Sequence, residues 1–127
     1  MDPPITVRFE IDLGLNKLKG VLTLRTEELG VEWRRYDLFE APVGSLESIS
    51  IPYTDLESVA IKRKVRRPAI SVTASSASTF GQMPLPAGDL TVLRARIARS
   101  DRDQAEAWGA EAGLRIANAM TGGELLE

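Results

Sequence analysis

Ser100–Met120, SDRDQAEAWGAEAGLRIANAM, is the one run of helical pattern in the chain, and it comes last. Ala105, Trp108, Ala112, Ile116 and Ala119 recur at three-to-four spacing, which places them on one apolar stripe. Asp101, Glu106 and Glu111 lie off it. Ser100 with Asp103 three residues on reads as a capping box, and Gly122-Gly123 ends the pattern. Trp108 is the expected anchor against the rest of the protein. Gly109 and Gly113 each cost about 1 kcal/mol of helix propensity relative to alanine, so close packing against strands is the expected reason for them.

Everything before this helix reads as strand, turn, strand. Ile5, Val7, Phe9 and Ile11 alternate with Thr6, Arg8, Glu10 and Asp12, the mark of a strand with one buried and one wet face. Leu18, Leu22 and Leu24 form a second strand, with Gly20 offering a bend. Glu28-Leu29-Gly30 is read as the next turn, and Leu29, Val31 and Trp33 as the inward set of a third strand. Pro42 and Gly44 interrupt the pattern before a fourth strand through Leu46, Ile49 and Ile51. Leu56, Val59 and Ile61 open a fifth, Ile70 and Val72 make a sixth, and Leu93, Ala95 and Ile97 a seventh. Between the last two lies the longest irregular stretch, rich in Ser, Gly and Pro from Ser75 to Gly88. The expected fold is mainly β with one C-terminal α-helix, a single domain over 1–127 with its core at about 5–120 and a flexible tail over 121–127.

Two stretches of this pattern resemble a known family. Gly20-Val21-Leu22-Thr23-Leu24 leading to Gly30-Val31-Glu32-Trp33 is similar to the opening of GRAM and bacterial pleckstrin-homology-like domains. Ile51-Pro52-Tyr53-Thr54-Asp55-Leu56-Glu57-Ser58-Val59 resembles the strand-to-strand step of the same families. The resemblance covers roughly residues 18 to 120. It implies a seven-stranded, partly open barrel of two orthogonal antiparallel sheets capped by the terminal helix, acting as a non-catalytic binding or scaffolding module. In that family lysine and arginine around the first hairpin hold phosphoinositide headgroups; here that loop offers Lys17 and nearby Lys19 against Asp12, a departure from the pattern.

Composition narrows the chemistry. The 127 residues contain no cysteine and no histidine, which removes disulfides, thiol nucleophiles, imidazole bases and the usual zinc sites. The serine-rich stretch Ser71–Ser78 lacks both a histidine to activate a nucleophile and a Gly-x-Ser-x-Gly elbow. Asp101 and Asp103 belong to a first helical turn, where the macrodipole favours carboxylates without a metal. No cofactor or metal is expected. The remaining catalytic reading is a small enzyme using carboxylates in the barrel mouth, but no pair of carboxylates is placed there by the pattern. No apolar run reaches the ~20 residues of a membrane span and no leader opens the chain, so a cytoplasmic protein is expected.

Two surface constellations remain as binding candidates. Residues 1–57 carry a net charge of minus five, 58–88 plus five and 89–127 minus two. All of the middle segment's charge comes from Lys62, Arg63, Lys64, Arg66 and Arg67. This hairpin is a candidate anionic-ligand patch, worth about 1 kcal/mol per residue near an anionic membrane. The plainer reading is a solvated tip that protects strand edges. Nucleic acid is disfavoured as a partner, because no aromatic interleaves with the basic run and the whole chain is slightly acidic. The second constellation comprises Leu13, Leu15 and Lys17 in the first loop, Leu38 and Phe39 in the third, and Phe80, Met83 and Leu85 in the sixth. Gathered at one end, they would form a surface for another protein or a second copy of this chain. Their alternative is to fold back as an extension of the core.

Overall fold

The computed structural model describes residues 5–62, 67–81, 83–85 and 90–121. Seven strands run in chain order, β1 (Ile5–Asp12), β2 (Lys17–Leu24), β3 (Glu28–Tyr36), β4 (Pro42–Pro52), β5 (Leu56–Lys62), β6 (Ala69–Ala74) and β7 (Val92–Arg96). Among the described residues a single α-helix, α1 (Arg102–Met120), follows them. All strands are antiparallel and hydrogen-bond into one sheet of order β4-β3-β2-β1-β7-β6-β5 that does not close on itself. The sheet therefore has two edges, β4 and β5. Between its halves the seam is narrow: β1 and β7 pair only at Glu10 and Arg96.

Alternation along the strands produces the core. Val7, Phe9 and Ile11 of β1, Leu18, Leu22 and Leu24 of β2, and Leu29, Val31 and Trp33 of β3 are all buried. They join Ile70, Val72, Leu93 and Ala95 from the other half of the sheet in one apolar cluster. Because both halves face that cluster, the sheet must curl around it. In β5, Leu56 and Val59 differ by an odd number of residues yet share the inward side; a register shift between Leu56 and Ser58 absorbs the extra residue.

The helix seals this cluster along β5, β1 and the short 3₁₀ turn Tyr53–Asp55. Trp108 is fully buried, and Ala105, Ala112 and Ile116 are buried beside it, as the stripe predicts. At Gly109 the helix lies tight against the sheet, since a Cβ there would lie 2.5 Å from Ile61 Cγ1 and 2.7 Å from its Cδ1. No such constraint exists at Gly113, where a Cβ would meet nothing within 4 Å, so close packing accounts for one of the two helix glycines only.

Three local expectations are corrected. The capping box does not form: a 3₁₀ turn, Arg99–Asp101, precedes the helix, so Ser100 falls too early to cap it. Asp101 occupies the N-cap position but makes no cap bond; both its carboxylate oxygens accept from Arg8 Nη2 at 3.1 and 3.3 Å. The turn before β3 lies at Arg25–Glu28, closed by Arg25 N–H donating to Glu28 O at 3.0 Å, and Gly30 is inside the strand. Finally, β4 starts at Pro42 rather than after Gly44, because it is an edge strand, where a missing N–H is tolerated.

A second anchor holds the far end of the helix. Tyr53 Oη donates to Arg25 O at 2.6 Å, and Arg115 Nη1 donates to the same carbonyl at 2.6 Å. Burial raises the Tyr53 hydroxyl's pKa above the ordinary tyrosine value.

Candidate functional site

The loop after β3 is built around one carboxylate. Asp37 Oδ1 accepts from Phe39 N at 2.8 Å and Ala41 N at 3.0 Å, while Asp37 N donates to Ala41 O at 3.0 Å. This Asx-type closure leaves Leu38 and Phe39 at the apex. Phe39 is 89% exposed and Leu38 65%. Glu40 then takes a left-handed φ of 64°, a conformation that costs a non-glycine residue about 1 kcal/mol or more.

That unusual backbone aims the Glu40 carboxylate at β2. It accepts from Lys17 Nζ and, at 2.6 Å, from Lys19 Nζ. The bond from Lys17, followed by that from Lys19, pulls the Glu40 carboxyl below the usual glutamate range, and the same bond raises the Lys17 ammonium. Lys19 also sits 5.1 Å from the centre of the Tyr36 ring. The β3–β4 loop is thus tied to β2.

The β1–β2 loop stands next to it. Gly14 adopts a left-handed φ of 92°, its N–H donates to Asp12 Oδ1 at 2.8 Å, and Leu13 N–H donates to Asn16 O at 2.9 Å. These bonds push Leu15 outward, 75% exposed. Leu15 and Leu38 line one hollow of about 180 Å³, together with Lys17, Asp37 and Arg96. The two loops therefore form a shared tip with three exposed apolar side chains on a polar base.

Other residues expected at this tip lie elsewhere. Phe80 and Met83 are core residues, 2% and 5% exposed, and Leu13 and Leu85 pack partly buried against the same cluster. The 75–81 segment turns inward through Thr79 N–H to Ser76 O and Gly81 N–H to Ser78 O, which carries Phe80 into the core. The described part of the β6–β7 connection thus follows the core-extension alternative, and Pro84 reaches the side of β2, β3 and β4. There a hollow of about 310 Å³ is lined by Leu18, Trp33, Arg35, Ser45, Glu47 and Pro84 among others. Glu47 is the one carboxylate among the described residues lining it.

Of the candidate anionic patch, Lys62 and Arg67 are described, while Arg63, Lys64 and Arg66 fall outside the described residues. Lys62 is exposed at the end of β5. Arg67 Nη2 reaches Glu10 at 3.5 Å, and the same carboxylate lies 3.5 Å from Lys17 Nζ and 3.9 Å from Arg96 Nη2. Glu10 therefore gathers cations from three parts of the fold on the outer face of the seam, and Arg67 is drawn into that network. Sequence reasoning missed Glu10 and Glu40, because their partners are distant in the chain and meet only through sheet register.

Among the described residues no cluster of acidic side chains is arranged to hold a metal ion, and no helix is long and apolar enough to cross a membrane. The chain matches no protein-family profile, no curated protein and no solved structure.

Proposed function

We propose that this chain is a non-catalytic binding module of pleckstrin-homology-like type, and that it engages another protein through the tip formed by Leu15, Leu38 and Phe39. Element order supports the family reading: seven antiparallel strands followed by one helix that packs on the sheet. The observation that carries the binding reading is Phe39. A phenylalanine held 89% in solvent gains nothing from the hydrophobic effect within the chain. Nevertheless its loop is closed by Asp37, and Glu40 is held in a costly backbone conformation that ties the loop to Lys17 and Lys19. Rigid presentation of apolar groups on a polar base is the anatomy of a small interaction hot spot.

A protein is favoured over an anionic lipid surface because the cations beside the tip are already neutralised by Glu40 and Glu10. The weaker alternative, association of the 62–67 segment with anionic membrane, rests on charge alone. A photo-activatable side chain at position 39 tests the proposal directly. Illumination in the producing cell should yield discrete protein adducts, and the same group in place of Glu57, exposed on β5, should yield none. Adducts to lipid, or none at position 39, would reject the reading.

A further inference from the structure

The sheet's two edges are treated very differently. The β5 edge has α1 packed alongside it and carries Glu57 and Lys62. At the other edge, β4 is the longest strand, 11 residues, and every residue from Pro42 to Ser48 is exposed. An edge strand is a template for another strand unless charges, prolines, a β-bulge or a covering element blunt it. In β4 the prolines stand only at its ends, Glu47 is its single charge, and Val43 and Leu46 are 43% and 64% exposed. Its one further guard is a bulge: the register with β3 slips between Trp33 and Arg35, Gly44 takes a left-handed φ of 78°, and Gly44, Ser45 and Leu46 have no partner residue on that strand. Gly44 O accepts instead from Arg34 Nε at 3.2 Å.

We infer that β4 pairs antiparallel with β4 of a second copy of this chain, joining the two sheets across a two-fold axis at Leu46. The proposal rests on the tip reading above and names the partner for it, since Leu38 and Phe39 lead directly into β4 and continue the same exposed apolar run. The strand's own sequence favours self-pairing. About Leu46, Leu46 meets Leu46, Val43 meets Ile49, and Ser45 meets Glu47, so each apolar side chain faces an apolar one. The hydroxyl of Ser45 already lies 3.3 Å from Glu47 Oε1 within one chain, and the pairing supplies a second hydroxyl from the partner copy. An axis at Glu47 would oppose two carboxylates, and one at Ser48 would set Leu46 against Ser50. A two-fold makes the contact isologous, so the assembly stops at a dimer.

The absence of cysteine makes the test clean, because any introduced thiol is unique. Sedimentation equilibrium of the full chain should give twice 13.9 kDa at high concentration, and Leu46→Asp should return the monomer mass with an unchanged far-UV spectrum. Under mild oxidation Leu46→Cys should close an intermolecular disulfide more than about tenfold faster than Ser50→Cys or Ala110→Cys, because the axis brings its two copies together at high effective concentration. Fast closure at Ser48→Cys instead would overturn the register. A monomer at every concentration overturns the pairing and leaves the tip open to a different protein. A dimer abolished by Phe39→Asp, with no fast closure at Leu46→Cys, overturns β4 pairing but keeps the tip. A Phe39→Asp dimer that still closes at position 46 keeps the pairing and removes the tip.

Discussion

Replacing Gly109 with alanine should destabilise the protein, although alanine is the better helix former. In an open helix interior the change is worth a gain of about 1 kcal/mol. Here the added Cβ would sit 2.5 Å from Ile61 Cγ1 and 2.7 Å from Cδ1, distances no relaxed pair of carbons tolerates. Ile61 is β-branched and held in the β5–β6 ladder opposite Ile70, so it yields by an off-rotamer χ or a helix shift, at about 1–3 kcal/mol. With a central value of about 2 kcal/mol the overlap outweighs the propensity gain, and a net loss of about 1 kcal/mol remains, or roughly 4 °C in midpoint for a domain of this size. Thermal unfolding followed at 222 nm reads it. The same substitution in an Ile61→Ala background should change sign and stabilise by about 1 kcal/mol, because nothing then opposes the propensity term. Gly113→Ala, with open space around its Cβ, should stabilise by a similar amount without help. A Gly109→Ala protein more stable than wild type with Ile61 intact would refute the close-packing argument.

Trp108→Ala should cost about 3–5 kcal/mol in urea unfolding, since the indole is fully buried and anchors the helix. Tyr53→Phe should cost about 1 kcal/mol through the bond to Arg25 O, with Arg115 left as that carbonyl's side-chain donor. The sign of the tyrosine's pH effect follows from its raised pKa: stability is present below the unfolded value of about 10 and is lost as pH rises through the folded value. Tyr53→Phe should remove that part of the alkaline loss, which unfolding free energies measured across the alkaline range would show. For Glu40 the sign is opposite, because its pKa is lowered: the tie to Lys17 and Lys19 holds above the ordinary glutamate pKa of about 4.3 and loosens as pH falls through the folded value. The carboxyl carbon resonance of Glu40 should titrate below that of the same residue in an unfolded peptide, and Lys17→Ala with Lys19→Ala should restore the peptide value. Arg8→Ala should cost about 1–3 kcal/mol, since it strips the guanidinium from the Asp101 carboxylate, whose side chain is only 11% exposed.

Much of the framework was legible in the chain because it depends on local periodicity. Val7, Phe9 and Ile11 alternate, Ala105, Trp108, Ala112 and Ile116 recur at helical spacing, and each set is buried as its period requires. The candidate tip was half legible. Leu15, Leu38 and Phe39 are exposed, but Phe80 and Met83, equally apolar and equally placed in a loop, are core. Hydrophobicity alone cannot separate these cases; the turn bonds of 75–81 do, by carrying Phe80 inward. The capping box failed for a related reason. Its spacing is right, but the 3₁₀ turn Arg99–Asp101 moves the helix start past Ser100 to Asp101, whose carboxylate binds Arg8 and makes no cap bond.

Strand parity, the helical stripe and the lack of thiol and imidazole groups are properties of neighbours a few residues apart, and the amino-acid order alone decides them. Which loop faces water, which carboxylate gathers cations and which sheet edge stays open depend on contacts between β1, β2, β7 and the 37–41 loop. Those contacts exist only once the sheet has curled, because burial and charge pairing are set by distance in space, and the chain's own spacing does not encode that distance.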